Sequence, residues 1–416
     1  MKRKILVLEL WGLGDLTFST VFLQSALEAG DEVHLLGKSH ARALLEPSFP
    51  QVRFFSLEAG WTKFRHKYHL WRWNWGALLG LLKELRKERY DVVVSARNDP
   101  RDHLWMVLIG ARRRVGFPLW GARLLLTDRV ERSHGAAQHK VEDWRDLGAA
   151  IGFSGIWQTE PRLRHEAYRT PRFDLLFGEL KLPVVLLHTG ARIPVRRWPV
   201  AYFETLIGLM RREFKFHLIL VPDPDGGGSS LSPLADVVLN NLTLPELTDL
   251  MGRADLVLCN DSGPGHLAAA MRRPSLVFFG PTAPNWFRPW GEIHHLVLRD
   301  FCRHRPCFDY CRYPEPFCMT RLRPEIVWGE VRRQIRRLAL RGLAPQAILS
   351  ASPAPEAPGQ PMVVVLTATY RRAEHLERML GSLEADAVRL AVLVIDNADD
   401  PATAAVVEKA RERMEV

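Results

Sequence analysis

The sequence lacks a continuous apolar run of the roughly 18 residues that a membrane-spanning helix needs. Its basic N-terminus is similar to the start of a secretory signal, but Glu9 and Asp15 interrupt the apolar stretch and no small-residue cleavage site follows. A first β-strand that leads into a loop fits this segment better. We therefore predict a cytoplasmic protein.

Cysteine is scarce, with five residues in 416, and four of them lie between positions 302 and 318. They do not form the CxxC pairs of a zinc ribbon. In a reducing compartment such a cluster favours metal binding or burial over disulfides. Two alternatives stay open for the four residues Cys302, Cys307, Cys311 and Cys318. They bind a structural metal, or they are reduced, partly buried thiols.

Hydrophobic residues make up 47% of the chain, which is enough for a buried core in each of roughly two or three domains. The formal net charge is +10. A surface of this sign attracts anions, and nucleic acid, acidic lipid headgroups and phosphorylated substrates all fit it. The charge does not choose among these three classes.

Short apolar runs alternate with helical patterns along most of the chain. Runs such as KILVLEL, DVVVSAR, PVVLLHTG and ADLVLCN are rich in Val, Leu and Ile, which is typical of buried parallel strands. Between them apolar residues recur every three or four positions, so the sequence predicts βαβ units. Two series of such units predict an α/β protein with two Rossmann-like domains that face a cleft, at residues 1–175 and 176–340.

A different composition follows these two series. The Ala/Pro-rich segment at residues 341–361 has no periodicity and indicates a semi-rigid linker. Residues 362–416 begin a new strand-helix-strand unit, with strands in MVVVLTATY and LAVLVIDNADD. A unit of this size is marginal for an independent α/β domain, so we expect an incomplete fragment.

The segment NDSGPGHLAAAMRR joins a predicted strand directly to a helix. The loop amides and the helix start then point into the crevice at the carboxyl ends of the strands, which is an anion-binding arrangement. Gly263 and Gly265 let the backbone approach a ligand, and Ser262 adds a hydroxyl donor. The next strand ends in GPTAP, and two adjacent loops of this kind suit a diphosphate. The alternative is a tight turn in which Asp261 caps the helix.

In the first domain, LELWGLGDLTFS places Gly12, Gly14 and Asp15 between the first strand and the first helix. A dinucleotide fingerprint would have a third glycine where Thr17 stands, so NAD binding is disfavoured. A carboxylate that faces the cleft can act as a general base. A helix N-cap is the alternative role for Asp15.

The segment LLHTGARIPVRRWP ends a strand of the second domain, with Thr189 and Gly190 at its carboxyl end. Arg196 and Arg197 follow just before a helix that Pro199 would open. An arginine beside a phosphate loop can form charge-assisted hydrogen bonds with a leaving diphosphate. For at least one of the two arginines, an exposed basic turn is the alternative.

Three features together resemble the heptosyltransferases of glycosyltransferase family 9 over roughly residues 1–340. They are GD after the first strand, HTGA followed by RRWP, and the block NDSGPGHLAAA with FFGPTAP. The resemblance implies a GT-B fold, a nucleotide-diphosphate-sugar donor such as ADP-heptose on the second domain, and a glycolipid or glycan acceptor on the first. It also implies an inverting mechanism with no cofactor and no required metal. We expect no nucleic-acid partner.

Carried over to this sequence, the resemblance implies that Asp15 is the base and that Arg196 takes the place of a phosphate-binding lysine. These two are the candidate catalytic residues. Arginine keeps the charge of lysine but changes the geometry. The candidate donor-binding residues are Thr189, Gly190, Asp261, Ser262, Gly263, His266, Gly280 and Thr282.

The loop PDPDGGGSS departs from the pattern that the family usually has there, Gly-Gly-Pro with a nearby acid. Because that loop helps to hold the nucleoside in the family, we expect a nucleoside pocket unlike that of typical members. The tail VVVLTATYRR with LVIDNADD resembles the start of a family 2 glycosyltransferase, with a GT-A-like fold. This second resemblance implies that Asp396 lies where an acid contacts the nucleotide, and that the fragment alone is inactive, because the metal-binding Asp-x-Asp strand is absent from the sequence.

The stretch WTKFRHKYHLWRWNWG at residues 61–76 mixes tryptophans with basic residues, which is typical of a membrane interface. We therefore expect peripheral association with the cytoplasmic face of the inner membrane. The alternative is burial of the tryptophans in the first domain. The candidate residues that face the acceptor or the membrane are Gly14, Trp71, Arg72 and Trp73.

The leading hypothesis is an inverting glycosyltransferase that moves a heptose to a lipopolysaccharide-type or other cell-surface glycan. A catalytically idle subunit that binds a sugar nucleotide or a glycolipid is the alternative, but a binder has no use for Asp15 together with Arg196. A dehydrogenase is a third hypothesis. The missing glycine and the lack of an evident ribose-binding acid disfavour it.

Overall fold

A computed structural model describes residues 2–58, 60–62, 69, 73–119, 121–223, 225–299, 302–340, 362–369, 389–396 and 406. The chain divides into two compact units, Met1–Ala351 and Ser352–Val416. None of the described helices is both long enough and apolar enough to cross a membrane.

The first unit contains a parallel sheet built from the N-terminal half of the chain, with strand order 3-2-1-4-5-6. The central strand pairs on both sides, so that Ile5 lies opposite both Val33 and Val92. Its apolar side chains are buried between layers of helices, as a strand in a parallel sheet requires. The strands are β1 (Lys4–Glu9), β2 (Glu32–Gly37), β3 (Arg53–Ser56), β4 (Val92–Ser95), β5 (Arg113–Gly116) and β6 (Asp128–Arg129).

Local signals set the ends of the helices around this sheet. The first helix begins after Gly12, whose N–H donates to the Asp15 carboxylate at 3.3 Å. The fourth begins after Asp99, whose carboxylate accepts the N–H of Arg101 at 2.9 Å, and it ends at Gly110 in the left-handed region. The helices are α1 (Leu13–Glu28), α2 (Ser39–Leu45), α3 (Trp75–Lys87), α4 (Pro100–Ile109) and α5 (Lys140–Ala150).

A second parallel sheet repeats the strand order of the first. Its central pair joins the strands that begin at Val184 and Leu256, and Leu187 lies opposite Leu258. The strands are β7 (Val184–His188), β8 (His217–Val221), β9 (Val237–Val238), β10 (Leu256–Asn260), β11 (Ser275–Phe278) and β12 (His294–Val297). The two predicted Rossmann-like sheets are thus present.

The helices of this half include a long C-terminal helix that packs on the second sheet through Val327 and Val331. The boundary predicted at residue 175 falls inside a helix that begins at Pro171. The helices are α6 (Pro171–Glu179), α7 (Val200–Glu213), α8 (Leu244–Arg253), α9 (Gly263–Ala270), α10 (Pro284–Phe287), α11 (Phe317–Thr320) and α12 (Pro324–Leu340).

The second unit contains two parallel strands, β13 (Met362–Thr369) and β14 (Arg389–Asp396). They pair in register over their full lengths, with Met362 opposite Arg389 and Thr369 opposite Asp396. These are the two strands predicted from the tail sequence. The predicted helix between them and the linker at residues 341–361 lie outside the described residues.

Candidate active site

The strand order places a crevice at the same point of each sheet. In an order of 3-2-1-4-5-6 the connections leave the first and fourth strands in opposite directions, and ligands bind outside the carboxyl ends of those two strands. This point lies between β1 and β4 in the first sheet and between β7 and β10 in the second. Asp15, Arg196 and the loop at residues 261–265 all follow one of these strand ends.

Asp15 lies in the first turn of α1, partly exposed at the end of β1. One of its oxygens accepts the N–H of Gly12 at 3.3 Å, so the residue contributes to capping, although it is not the N-cap itself. Burial raises the pKa of its carboxyl group, and the charges of Arg97 and Lys140 offset part of that effect. A carboxylate with a raised pKa is a stronger base than an ordinary aspartate.

A second carboxyl group, which sequence reasoning did not assign to the site, stands behind Asp15. Glu9 ends β1 and is 2% exposed, and its Oε1 accepts the N–H of Trp11 at 3.0 Å. Burial, and then the charge of Asp15, raise the pKa of Glu9 to about 8. Glu9 is therefore protonated when Asp15 carries the negative charge.

Arg97 follows β4 on the same edge and was also missed. Its guanidinium lies 4.0 Å from the centre of the Trp11 ring and forms ion pairs with Asp99 at 2.9 Å and Asp102 at 3.2 Å. Asp102 is fully buried and also accepts the indole N–H of Trp61 at 3.0 Å. Its two carboxylate partners hold the Arg97 charge in place beside Glu9 and Asp15.

On the second sheet, Asp261 connects the two glycine loops. Its carboxylate is 3% exposed, accepts a hydrogen bond from the hydroxyl of Thr282, and lies 3.6 Å from Nη1 of Arg196. Ser262 is the N-cap residue of α9, and the N–H of Gly265 donates to its carbonyl oxygen at 3.1 Å. The predicted pair of adjacent loops is therefore present, with Asp261 as the link between them.

Asn260, which was not singled out from the sequence, joins the loops that follow β7 and β10. The side chain is completely buried, and its amide donates to the carbonyl oxygen of Thr189 at 2.7 Å while its Oδ1 accepts the N–H of Trp198 at 2.9 Å. The Trp198 ring stacks on Phe278 at 4.0 Å. These contacts hold the turn that carries Arg196 against the end of β10.

The two adjacent arginines have different partners. Arg196 pairs with Asp309 at 3.0 Å as well as with Asp261. Arg197 instead pairs with Asp223 at 2.8 Å and Asp225 at 2.7 Å, which belong to the loop after β8. Arg197 is thus the arginine with a structural role, and Arg196 is the one beside the glycine loops.

The starts of α1 and α9 meet at His266. A Cβ atom on Gly14 would lie 2.6 Å from Cδ2 of His266, and one on Gly263 would lie 3.0 Å from Leu13. Gly14, predicted on the acceptor side, thus forms part of the contact between the two helix starts. Burial lowers the pKa of His266 to about 3, so its ring is neutral, and its Nδ1 has no hydrogen-bond partner among the described residues. This contact brings the turn that carries Asp15 next to the glycine loop at the start of α9.

The other candidate donor residues have structural contacts of their own. The Thr189 hydroxyl donates to the carbonyl oxygen of Gly227 at 3.0 Å, and the N–H of Gly190 donates to Nδ1 of His188 at 3.1 Å. A Cβ atom on Gly280 would lie 2.3 Å from the sulfur of Met319, so this position requires glycine for packing. Their roles toward a donor stay predictions.

The four clustered cysteines are free thiols, with Cys318 buried. Burial, and then the neighbouring thiols, raise the pKa of Cys318 to about 11. Among the described residues, Glu32, His34 and Glu88 hold candidate metal-ligand atoms within 4.8 Å of one another. Lys4 forms ion pairs with both of these acids. The cysteines do not belong to such a group, and a metal there stays a prediction.

The aromatic stretch proves to be mixed in its environment. Trp61 is 3% exposed, as the burial alternative expected, whereas Trp75 is 50% exposed. Trp73 is partly exposed and packs on Gly60, where a Cβ atom would lie 2.3 Å from its Nε1. Trp71 and Arg72 lie outside the described residues.

Comparison with known proteins agrees with this geometry. Residues 78–315 match the sequence model of glycosyltransferase family 9 (heptosyltransferase). Lipopolysaccharide heptosyltransferase 1 of Pseudomonas aeruginosa is 27% identical over 267 residues, which cover 59% of this chain and 74% of the relative. Lipopolysaccharide heptosyltransferase 3 of Escherichia coli is 25% identical over 251 residues, which cover 53% and 71%.

Solved structures share the fold. The E. coli heptosyltransferase WaaC with ADP-2-deoxy-2-fluoro heptose aligns with a TM-score of 0.61 and 18% identity, over 79% of this chain and 99% of that one. The E. coli ADP-heptose lps heptosyltransferase II aligns with a TM-score of 0.61 and 20% identity, over 82% and 100%. The α/β arrangement with two parallel sheets of the GT-B type is thereby confirmed.

Proposed function

The chain belongs to glycosyltransferase family 9 and is a glycosyltransferase, and from this premise we propose that it moves a heptose from a nucleotide diphosphate to a lipopolysaccharide-type or other cell-surface glycan. One observation carries the proposal. The first turn of α1, which holds Asp15, packs against the first turn of α9, and Arg196 lies 3.6 Å from Asp261 in the glycine loop that precedes α9.

Asp15 accepts the proton of the acceptor hydroxyl in this mechanism. The oxygen then attacks the anomeric carbon of the donor on the face opposite the diphosphate, so that a new glycosidic C–O bond forms while the bond to the diphosphate breaks. The electron pair of the broken bond leaves on the nucleoside diphosphate, and the configuration is inverted. The raised pKa of Asp15 supports this role, because it makes the carboxylate a better proton acceptor near neutral pH.

Arg196, the Ser262 hydroxyl and the amides at the start of α9 stabilise the departing diphosphate. Arg196 is 22% exposed, so its charge acts in a partly desolvated setting. His266 is neutral and contributes through its ring nitrogen rather than through charge. The cationic guanidinium and the helix start supply the stabilisation in a mechanism that requires no metal.

ADP-heptose or a similar nucleotide sugar is the proposed donor, since a structural relative holds an ADP-heptose analogue. The loop after β8 makes the nucleoside pocket different from that of typical family members, because Arg197 forms ion pairs with both Asp223 and Asp225 of that loop. We infer that the acceptor is a glycolipid and that the enzyme associates peripherally with the cytoplasmic face of the inner membrane.

A thermal-shift screen of nucleotide sugars, followed by a transfer assay with the best ligand, tests the donor. At about 100 times its dissociation constant a donor adds roughly 2.7 kcal/mol of stability. The best stabiliser names the donor, and a screen in which no nucleotide sugar raises the melting temperature would remove the proposal. ADP-heptose as the single best ligand would contradict only the expected difference in the nucleoside pocket.

For the tail we propose the N-terminal part of a family 2 glycosyltransferase domain. The parallel pair of β13 and β14 supports this, with Asp396 as the last residue of β14. A chain that ends near Gly342 should then fold and keep the transferase activity. Loss of soluble expression on this truncation would show instead that the tail is needed by the first unit.

A further inference from the structure

Exposed apolar side chains concentrate on one part of the first unit, around α3, α4 and the short 3-10 helix Arg123–Leu125. The exposed fractions reach 84% for Leu124, 56% for Leu79 and 50% for Trp75. We call this set the α3–α4 face. It consists of Trp75, Leu79, Leu104, Val107, Leu108, Leu119 and Leu124.

The apolar residues of α4 lie on two sides of the helix. Trp105, Met106 and Ile109 are buried against the sheet, in the core layer that also holds Leu78 and Leu85 of α3. Leu104, Val107 and Leu108, spaced by three and four residues, are exposed on another side. A surface helix normally has one apolar stripe, and one that is apolar on two sides has a second partner.

The exposed residues belong to neighbouring elements. The helix α4 contacts both α3 and the 3-10 helix, so their side chains lie beside one another. At its start, α4 is capped by Asp99, which pairs with Arg97 beside the candidate base. The helix that carries Leu104, Val107 and Leu108 therefore begins beside Arg97 and the candidate base.

The exposed charges around this face are mainly positive. Among the described residues from 75 to 130, which leave out residue 120, Glu84 is the exposed acidic residue. It forms an ion pair with Arg53 at 3.4 Å. Partly exposed acids of the same range form ion pairs, Glu88 with Lys4 and Arg53, Asp91 with Arg112, and Asp128 with Arg113. An apolar surface surrounded by lysine and arginine is complementary to an anionic lipid bilayer. The exposed basic residues in the same range are Lys83, Arg86, Lys87, Arg89, Arg112, Arg123 and Arg129.

We propose that the α3–α4 face binds an anionic lipid bilayer, with its apolar side chains in the headgroup region and its basic residues on the lipid phosphates. The proposal rests on the proposed function, because binding of this face to the bilayer would bring the acceptor side of the protein to the membrane in which a glycolipid acceptor is anchored. Charge complementarity selects the bilayer over a second copy of this chain, which would place the basic rims of two copies together.

The experiment is co-sedimentation of the full chain with vesicles of phosphatidylethanolamine and phosphatidylglycerol, and with neutral phosphatidylcholine vesicles. We expect preferential binding to the anionic vesicles that weakens as salt is raised. The double substitution Leu104→Glu with Leu108→Glu should weaken binding by roughly tenfold or more, since it removes apolar contact and adds charge that the lipid repels. Leu124→Glu should act in the same direction, and at 84% exposure this site tolerates the change.

Leu175→Glu on α6 and Ile326→Glu on α12 are the matched controls, because these side chains are 75% and 50% exposed but lie outside the face. They should bind vesicles as the unaltered chain does. Three results would each overturn the proposal. The face variants could bind vesicles as tightly as the unaltered chain, the unaltered chain could show no preference for anionic vesicles, or it could form a dimer that the face variants dissociate. Vesicle binding is measured without donor or turnover, so its failure is distinguishable from a failure of the transferase proposal.

Discussion

The two sheets of the first unit share one strand order, yet their strand ends carry different residues. The ends of β1 and β4 are followed by acids, Asp15 among them, grouped around Arg97. The ends of β7 and β10 are followed by hydroxyls, amides and Arg196 beside a glycine loop. The fold thus brings the same strand ends of each sheet together, and the proposed roles, a proton acceptor on one side and an anion site on the other, depend on the residues that follow those ends.

Burial shifts the pKa values of groups on both sides, and on the second side it raises the pKa of Asp261. On the first side, burial raises the pKa values of Asp15 and Glu9, so a proton is held close to the cleft. On the second side, burial lowers the pKa of His188 to about 4 and that of His266 to about 3, which keeps both rings neutral. The histidines therefore add no positive charge beside the glycine loop, where the Arg196 guanidinium lies 3.6 Å from the Asp261 carboxylate.

Replacing the base should give the largest effect. Asp15→Asn removes the proton acceptor, so turnover should fall by about 100-fold or more, the usual size of a lost general base. Donor affinity should stay nearly unchanged, because the donor-side residues are intact. Steady-state kinetics and donor titration measure the two quantities separately.

The same variant separates catalysis from capping. Asn is itself a good helix-capping residue, so a purely structural Asp15 would tolerate the change without loss of rate. Unaltered turnover in Asp15→Asn, with a donor that is shown to bind, would remove the proposed mechanism and leave the idle binding subunit as the better description.

Removing the charge on the second side should have a different signature. Arg196→Ala should weaken donor affinity and slow turnover together, because in the proposed mechanism the guanidinium contacts the diphosphate in the bound donor and more strongly in the leaving group. A charged hydrogen bond of this kind is worth roughly 1.5 to 3 kcal/mol, or about 10- to 150-fold. Isothermal titration and single-turnover rates measure both parts.

Arg197→Ala is the matched control for that variant. Arg197 pairs with Asp223 and Asp225, and these partly exposed pairs contribute about 1 kcal/mol or less. We expect a lower melting temperature and a few-fold weaker donor binding, with turnover of the bound donor unchanged. If Arg197→Ala slowed turnover as much as Arg196→Ala, the division between the two arginines would be wrong.

Local patterns in the sequence predicted the central strands, the two glycine loops, and the positions of Asp15 and Arg196. Short strands at or next to the sheet edge were missed because β5, with sequence RRVG, and the edge strand β6, with only two residues, lack an apolar run. A predicted strand needs several buried positions in succession, and an edge strand has few of them. The pattern therefore shows the centre of a sheet better than its edges.

The residues that support the site were harder to predict. Asn260 bonds to Thr189, which lies 71 positions earlier, and Arg197 bonds to a loop 28 positions later. Glu9 appeared in the sequence only as an acid that interrupts an apolar run. Its pairing with Asp15 depends on how α1 leaves β1, which a pattern of apolar residues does not specify.

Only a small effect on turnover is expected for Glu9→Gln. The amide keeps an oxygen that can accept the N–H of Trp11 and resembles the protonated carboxyl group, so turnover near pH 7 should change by less than about threefold. Stability should change with pH instead. The folded chain holds a proton on Glu9 up to about pH 8, whereas the unfolded chain releases it near the ordinary value of 4.5.

Because the folded state binds more protons than the unfolded state in this window, the contribution of Glu9 to stability falls as pH rises from about 4.5 to about 8 and levels off above that. Glu9→Gln removes this dependence. The melting temperature of the variant, measured against the unaltered chain, should therefore rise progressively between pH 5 and pH 8 and stay constant at higher pH. A difference that is the same at every pH would mean that Glu9 ionises at its ordinary pKa in the folded chain.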